Sequence, residues 1–242
     1  MATKNVSSGG VRAGGIGLAL TYLFMSPLIY ADTMPCVNTD AELVSALNLA
    51  EGSAQTIMLV QGTYHLNATA WNAKLSSPGR GKFRAGSSLT GGYTNATCTS
   101  RDIDVNNTII TDTTSNPDDE VNILGDATIE GITFELPNGL IIGADNTANN
   151  PLPAGSELDI RRNVFTQSTG AMKQPLEIEW NEDASVGGVV RLANNLIHGN
   201  SGGGGPANSA AIFFLLDSGK PTIEMINNTV VDNGGSWADS AC

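Results

Sequence analysis

Four nine-residue segments of this chain align without gaps: residues 127–135 (ATIEGITFE), 158–166 (LDIRRNVFT), 190–198 (VRLANNLIH) and 223–231 (IEMINNTVV). Their starts are 31, 32 and 33 residues apart. The first column holds Ala127, Leu158, Val190 and Ile223, the third Ile129, Ile160, Leu192 and Met225, and the eighth Phe134, Phe165, Ile197 and Val230; all are apolar. The second column, Thr128, Asp159, Arg191 and Glu224, is polar throughout. In-and-out alternation is the period of a strand with one buried face. Recurrence of like residues at a fixed interval means that successive copies lie over one another. A multi-strand repeat near 32 residues with no helix inside it implies a parallel solenoid, because propeller blades need about 40–50 residues.

The sixth column, Ile132, Asn163, Asn195 and Asn228, is the unusual one. An amide there is an ordinary turn residue, since Asn tolerates left-handed backbone, or one rung of a ladder in which each side chain bonds to the next across about 4.8 Å. Recurrence in one column favours the ladder. Asn227 also opens an N-glycosylation sequon, as do Asn67, Asn95 and Asn106.

A second strand follows each of the first three copies, at residues 139–144 (GLIIGA), 175–180 (PLEIEW) and 211–216 (AIFFLL). Loops rich in Gly, Asn and Pro join them, among them residues 201–209 (SGGGGPANS), a flexible connection without the Asp of a calcium-binding repeat. Upstream, residues 39–51 (TDAELVSALNLAE) form the one convincing helix. Thr39 and Glu42 make a capping box, Leu43, Val44, Leu47 and Ala50 an apolar face, and Gly52 a stop. Residues 56–66 and 87–94 read as the first strands. The expected fold is all-β, a right-handed parallel β-helix with an N-terminal amphipathic cap helix; the cap spans about residues 36–66 and the C-terminal end is uncapped. Such an end must aggregate, pair, or be covered by a partner or by further sequence.

Residues 1–31 differ from the rest. Lys4 and Arg12 precede an uncharged run, residues 13–31 (AGGIGLALTYLFMSPLIYA), that reads as an export signal cleaved after Ala31, leaving residues 32–242 as one β-helix domain. An uncleaved anchor is the alternative, but Pro27 and the abrupt polar switch favour cleavage, and no transmembrane segment then remains. Cleavage removes two basic residues and no acid, moving the net charge from −12 to −14. Nucleic acid is therefore a poor partner. Of the three cysteines, Cys36 and Cys98 flank the first structural unit and are expected to pair in an exported chain, leaving Cys242 over.

The succession CVNTDAELVSALNLAE (residues 36–51), QGTYHL (61–66), LTGGYTNATCTSR (89–101) and then the stacked segments resembles the bacterial secreted right-handed parallel β-helix proteins of pectate-lyase-like fold. The resemblance covers roughly residues 36–233. It implies an exported, elongated coil that meets polysaccharide or another surface; it is specific for fold and poor for activity, since this fold hosts lyases, hydrolases and adhesins alike.

Chemistry is harder to find. A lyase of this fold needs acids that hold calcium and an Arg or Lys base; residues 116–120 (NPDDE) read as a solvated loop. The best remaining constellation is Glu177 with Glu179, about 6.5 Å apart on one outer face of their strand, with Arg161 and Arg191 on strands expected to neighbour it. An outward ion-pair surface is the favoured account of these charges, since two charges per strand are ordinary solvent decoration. His65 and His198 lack zinc-ligand spacing, and Trp71, Trp180 and Trp237 are scattered, so no sugar-stacking platform is demonstrated. The leading expectation is a non-enzymatic, adhesin-like secreted or surface protein that interacts with polysaccharide or a surface protein and needs no cofactor. The alternative is a polysaccharide lyase or glycoside hydrolase acting on uronide polysaccharide, with calcium as its cofactor if a lyase.

Overall fold

A computed structural model describes residues 36–66, 82–104, 107–112, 120–137, 139–144, 152–168, 174–181, 187–201, 210–218 and 220–234. The chain divides into two units, Met1–Ala31 and Asp32–Cys242, and the described residues all belong to the second. The segment read as an export signal therefore lies outside them, as do Trp71, Trp237, Cys242 and nearly all of the loops at residues 116–120 and 201–209.

Three parallel sheets build the second unit. Sheet A contains β1 (Cys36–Val37), β2 (Thr56–Val60), β5 (Ser87–Tyr93), β8 (Ala127–Glu130), β11 (Glu157–Arg161), β14 (Val189–Ala193) and β17 (Thr222–Ile226), in that spatial order. Sheet B contains β3 (Gly62–Leu66), β6 (Thr108–Asp112), β9 (Thr133–Glu135), β12 (Val164–Thr166), β15 (Leu196–His198) and β18 (Thr229–Val231). Sheet C contains β4 (Lys82–Phe83), β7 (Glu120–Ile123), β10 (Leu140–Ala144), β13 (Leu176–Asn181) and β16 (Ile212–Ser218). The chain visits A, B and C in turn and then returns to A one level on, which is a parallel β-solenoid. The aligned columns are the pairing register itself: Leu158 stands between Ala127 and Val190, and Val190 opposite Ile223.

Each nine-residue segment is two strands rather than one. The residue in the fifth column adopts left-handed backbone in every copy, with φ of 73° at Gly131, 54° at Arg162, 57° at Asn194 and 52° at Asn227. That single residue turns the chain from sheet A to sheet B. A second left-handed residue, Gln167, Gly199 or Asp232, ends the sheet-B strand five positions later. The coil therefore has three faces, and the strands at residues 139–144, 175–180 and 211–216 form the third, not the second.

The interior is filled by stacked columns. Ile129, Ile160 and Leu192 are fully buried one above another, and Phe134 and Phe165 stack with ring centroids 5.3 Å apart. Trp180 is fully buried from sheet C, which removes it as a surface platform. The helix α1 (Asp40–Gly52) packs on the opening strands β1 to β4 through buried Leu43, Ala46 and Ala50. Its capping box is formed: Glu42 N donates to Thr39 Oγ1 (3.3 Å), and Glu42 Oε2 accepts from Thr39 N (3.1 Å). Beneath it, Tyr64 lies with its hydroxyl 2.7 Å from the carbonyls of both Val37 and Val60; burial, then the nearby Glu42 charge, push its pKa up to about 12. Cys36 and Cys98 form a disulfide that ties β1 to the turn after β5. Among the described residues, no helix is long and apolar enough to cross a membrane.

Candidate functional site

The outer face of sheet A is where the chain's polar chemistry gathers. In a pleated strand whose first and third columns face the core, the second must face out. In-register pairing then lines up Ser88, Thr128, Asp159, Arg191 and Glu224 as one stripe across five strands. Over it lies a groove of about 370 Å³ whose polar lining comes from Ser87, Ser88, Asp126, Thr128, Glu157, Asp159 and Arg191, a volume within the range of small-ligand clefts. Asp126 and the single lining base, Arg191, are already engaged. Asp126 Oδ1 accepts from Glu157 N (2.9 Å), and Arg191 Nε donates to Glu224 Oε2 (2.8 Å). The Glu224 carboxylate, by hydrogen bond and then by charge, holds the Arg191 guanidinium above its ordinary value.

Beside the groove, at the bend from sheet A to sheet B, three arginines converge on Glu130. Its side chain is only 5% exposed, and its oxygens lie 3.1 Å from Arg101 Nη1, 3.3 Å from Arg161 Nη2 and 3.0 Å from Arg162 Nη1. Burial pushes the Glu130 carboxyl up, but the hydrogen bonds and charges of Arg101 and Arg161 outweigh it and hold the group below its usual range. Arg161 also donates to Asp159 Oδ2 (2.7 Å). Arg101 donates from Nε to the Gly91 carbonyl and lies over the Tyr93 ring, 5.5 Å from its centroid.

The paired glutamates are placed elsewhere. Glu177 and Glu179 face outward from β13, alternating with buried Leu176, Ile178 and Trp180 as expected from the strand period. The strands neighbouring β13, however, are β10 and β16, whereas Arg161 and Arg191 stand on β11 and β14 of sheet A. The expectation that these arginines lie on strands beside the glutamates is thus corrected. Strands that follow one another in sequence lie on different faces of the coil, so the neighbours of β13 are the strands one coil before and after it, not β11 and β14.

At the bend itself, the asparagine amides run along the stack. Asn163 Nδ2 donates to Asn195 Oδ1 (3.3 Å), and Asn195 Nδ2 to Asn228 Oδ1 (2.9 Å). The same oxygens accept from backbone, Asn195 Oδ1 from Asn163 N and Asn228 Oδ1 from Asn195 N, both at 3.0 Å. A second line, unseen in the sequence, runs along the bend from B to C. Asn200 Nδ2 donates to Asn233 Oδ1 (2.7 Å), and Ser168 N to Asn200 Oδ1 (2.9 Å). Extending the alignment two columns past residue 198 puts Ser168, Asn200 and Asn233 in register, so the signal was present just beyond the segments compared.

Chemically, the groove offers hydroxyls and carboxylate oxygens to a polyhydroxylated ligand. Arg191 is held by Glu224, and Glu130 beside the groove is stabilised as the anion. Among the described residues, no three His, Cys, Asp or Glu side chains are grouped as a metal site would need. Comparison of the chain with protein-family models, with curated proteins and with solved structures finds no match.

Proposed function

We propose that this chain is an exported or cell-surface glycan-binding protein, adhesin-like and non-enzymatic, that presents the outer face of sheet A to polysaccharide. The observation that supports this reading is the groove over Ser88, Thr128 and Asp159, whose hydroxyls and acids line up across successive coils while its neighbouring arginines are engaged in ion pairs. Three carboxylates in its lining, Asp126, Glu157 and Asp159, disfavour a polyanion and favour a neutral glycan. The coil is read as right-handed, following the rule for crossovers between parallel strands, and α1 as its amphipathic cap. The reading of export is supported by the uncharged segment at residues 13–31 and by the Cys36–Cys98 disulfide, a bond that persists in oxidising compartments.

The test is affinity electrophoresis in gels containing neutral polysaccharides, beside assays for new reducing or unsaturated ends on polygalacturonate with and without calcium. Retardation by a neutral glycan is expected, weakened about tenfold or more by Thr128→Lys, which fills and charges the groove. Turnover of polygalacturonate would replace this reading with the lyase or hydrolase one, and absence of any glycan retention would remove it.

A further inference from the structure

The bend from sheet A to sheet B carries more positive charge than its pairing uses. Arg101, Arg161 and Arg162 all bond to Glu130, and Arg161 also to Asp159, so three guanidiniums meet two carboxylates. One positive charge is left over, in a chain whose net charge is −12. Donors are in larger surplus. A guanidinium is a fork of N–H donors with no acceptor, and among the described residues these three make five hydrogen bonds, to Glu130, Asp159 and the Gly91 carbonyl. Most of their N–H groups remain unused. Arg101 Nη2 and Arg161 Nε are buried with no acceptor, whereas the Arg161 and Arg162 side chains taken whole are 42% and 50% exposed. Arg162 is also an odd residue for its place. It holds left-handed backbone where the other coils put Gly131, Asn194 and Asn227, which take that conformation at lower cost. Glu130 already has Arg101 and Arg161, so neither the bend nor the ion pair calls for a third guanidinium.

We propose that Arg161 and Arg162, backed by Arg101, bind a sulfate ester carried by a ligand that docks at this bend. Glu130 holds both half-exposed guanidiniums in place, so little side-chain freedom is lost when a further oxyanion binds. The leftover charge matches a monoanion. A sulfate ester brings one charge and three terminal oxygens, more acceptors than a carboxylate offers, to a site where donors are in excess. A phosphate monoester, with a charge nearer two, exceeds what the cluster leaves over. Asp159 and Glu157 follow Arg161 on the same face of β11, so they repel a run of anions and leave room for a single one. The site goes beyond the neutral-glycan reading of the groove and does not depend on it.

Isothermal titration calorimetry at constant ionic strength, with glucose 6-sulfate, glucuronate, glucose and sodium sulfate as probes, tests this. Glucose 6-sulfate is expected to bind with a Kd of about 1 mM or below, and glucose not to bind in that range. Arg162→Asn removes the guanidinium but installs a residue that the same bend already holds at Asn194 and Asn227. It is expected to weaken the ester about tenfold or more, while the circular dichroism spectrum and the urea midpoint stay near those of the wild type. Arg162→Lys, which keeps the charge and loses the fork, is expected to fall between the two. Ester binding that Arg162→Asn leaves unchanged overturns the proposal, and so does a wild type that binds glucose as well as its sulfate or binds no ester at about 20 mM. Tighter binding of glucuronate overturns it in favour of a carboxylate site, and saturation by sodium sulfate alone in favour of a free-ion site. Retention by neutral polysaccharide is read separately, so its failure with the ester still bound removes the groove reading and not this one.

Discussion

Asn227 and Asn228 are chain neighbours with separate tasks. Asn227 takes the left-handed backbone that turns sheet A into sheet B, which Asn tolerates better than most residues. Asn228 turns its amide along the stack, as Asn195 and Asn163 do. Asn195 is almost fully buried and bonded on both sides, so Asn195→Ala is expected to lower unfolding free energy by about 2–4 kcal/mol, leaving buried partners unsatisfied. Asn228→Ala, at the exposed last coil, is expected to cost about 1 kcal/mol. Urea titrations of the two variants check the order, and no loss in Asn195→Ala would leave these asparagines as turn residues only. Glu130 makes a second prediction. Its folded pKa lies below the ordinary value of 4.5, so its stabilisation is fully present above that pH and is lost as pH falls through the depressed folded value. Glu130→Gln is expected to cost on the order of 3 kcal/mol at pH 7, by uncovering three guanidiniums. Stability curves from pH 7 to pH 3 are expected to converge in the acid range; parallel curves would show that the carboxylate is not the source.

At the scale of elements, the bends matter as much as the strands. Each coil changes face at single left-handed residues, and where a glycine supplies one the space is often filled. Gly139 has φ of 78°, and a Cβ there runs into the Gln174 carbonyl of the next coil. Gly139→Ala is expected to cost about 2–4 kcal/mol, from strain and from lost pairing between β10 and β13, measured by thermal and urea unfolding. A loss under about 0.5 kcal/mol would mean that the two coils separate there without penalty. These bends were the least legible part of the sequence. The inward columns are the first, third and eighth, so alternation loses phase across the bend, but only one residue marks the change, and the left-handed position is filled by Gly131, Arg162, Asn194 and Asn227 in turn, with Arg giving no turn signal. The Glu130 cluster was hidden for a related reason: Arg101 reaches it from the irregular turn after β5, outside any column of the repeat.

For the whole molecule, a solenoid's stability is a sum over neighbouring coils, so the same column has different worth at different levels. Ile160 and Met225 share the third column, yet Ile160 is fully buried and Met225 is 52% exposed. Ile160→Ala is expected to cost about 3–4 kcal/mol and Met225→Ala below about 1 kcal/mol, measured by urea unfolding. Equal losses would mean that the last coil is covered within one chain. The columns, their register and the stacking of coils were readable from residues alone, because a core built by repetition must write the same polarity at the same interval. The capping box of α1 and the outward direction of Glu177 and Glu179 were readable too, since both depend on residues a few positions apart. What only the tertiary structure decided is which faces meet: three sheets, Arg161 beside Glu130 and Asp159 rather than beside Glu177, and a groove over sheet A. Those depend on where single left-handed residues redirect the chain, and one residue's backbone angle leaves almost no trace in composition or period.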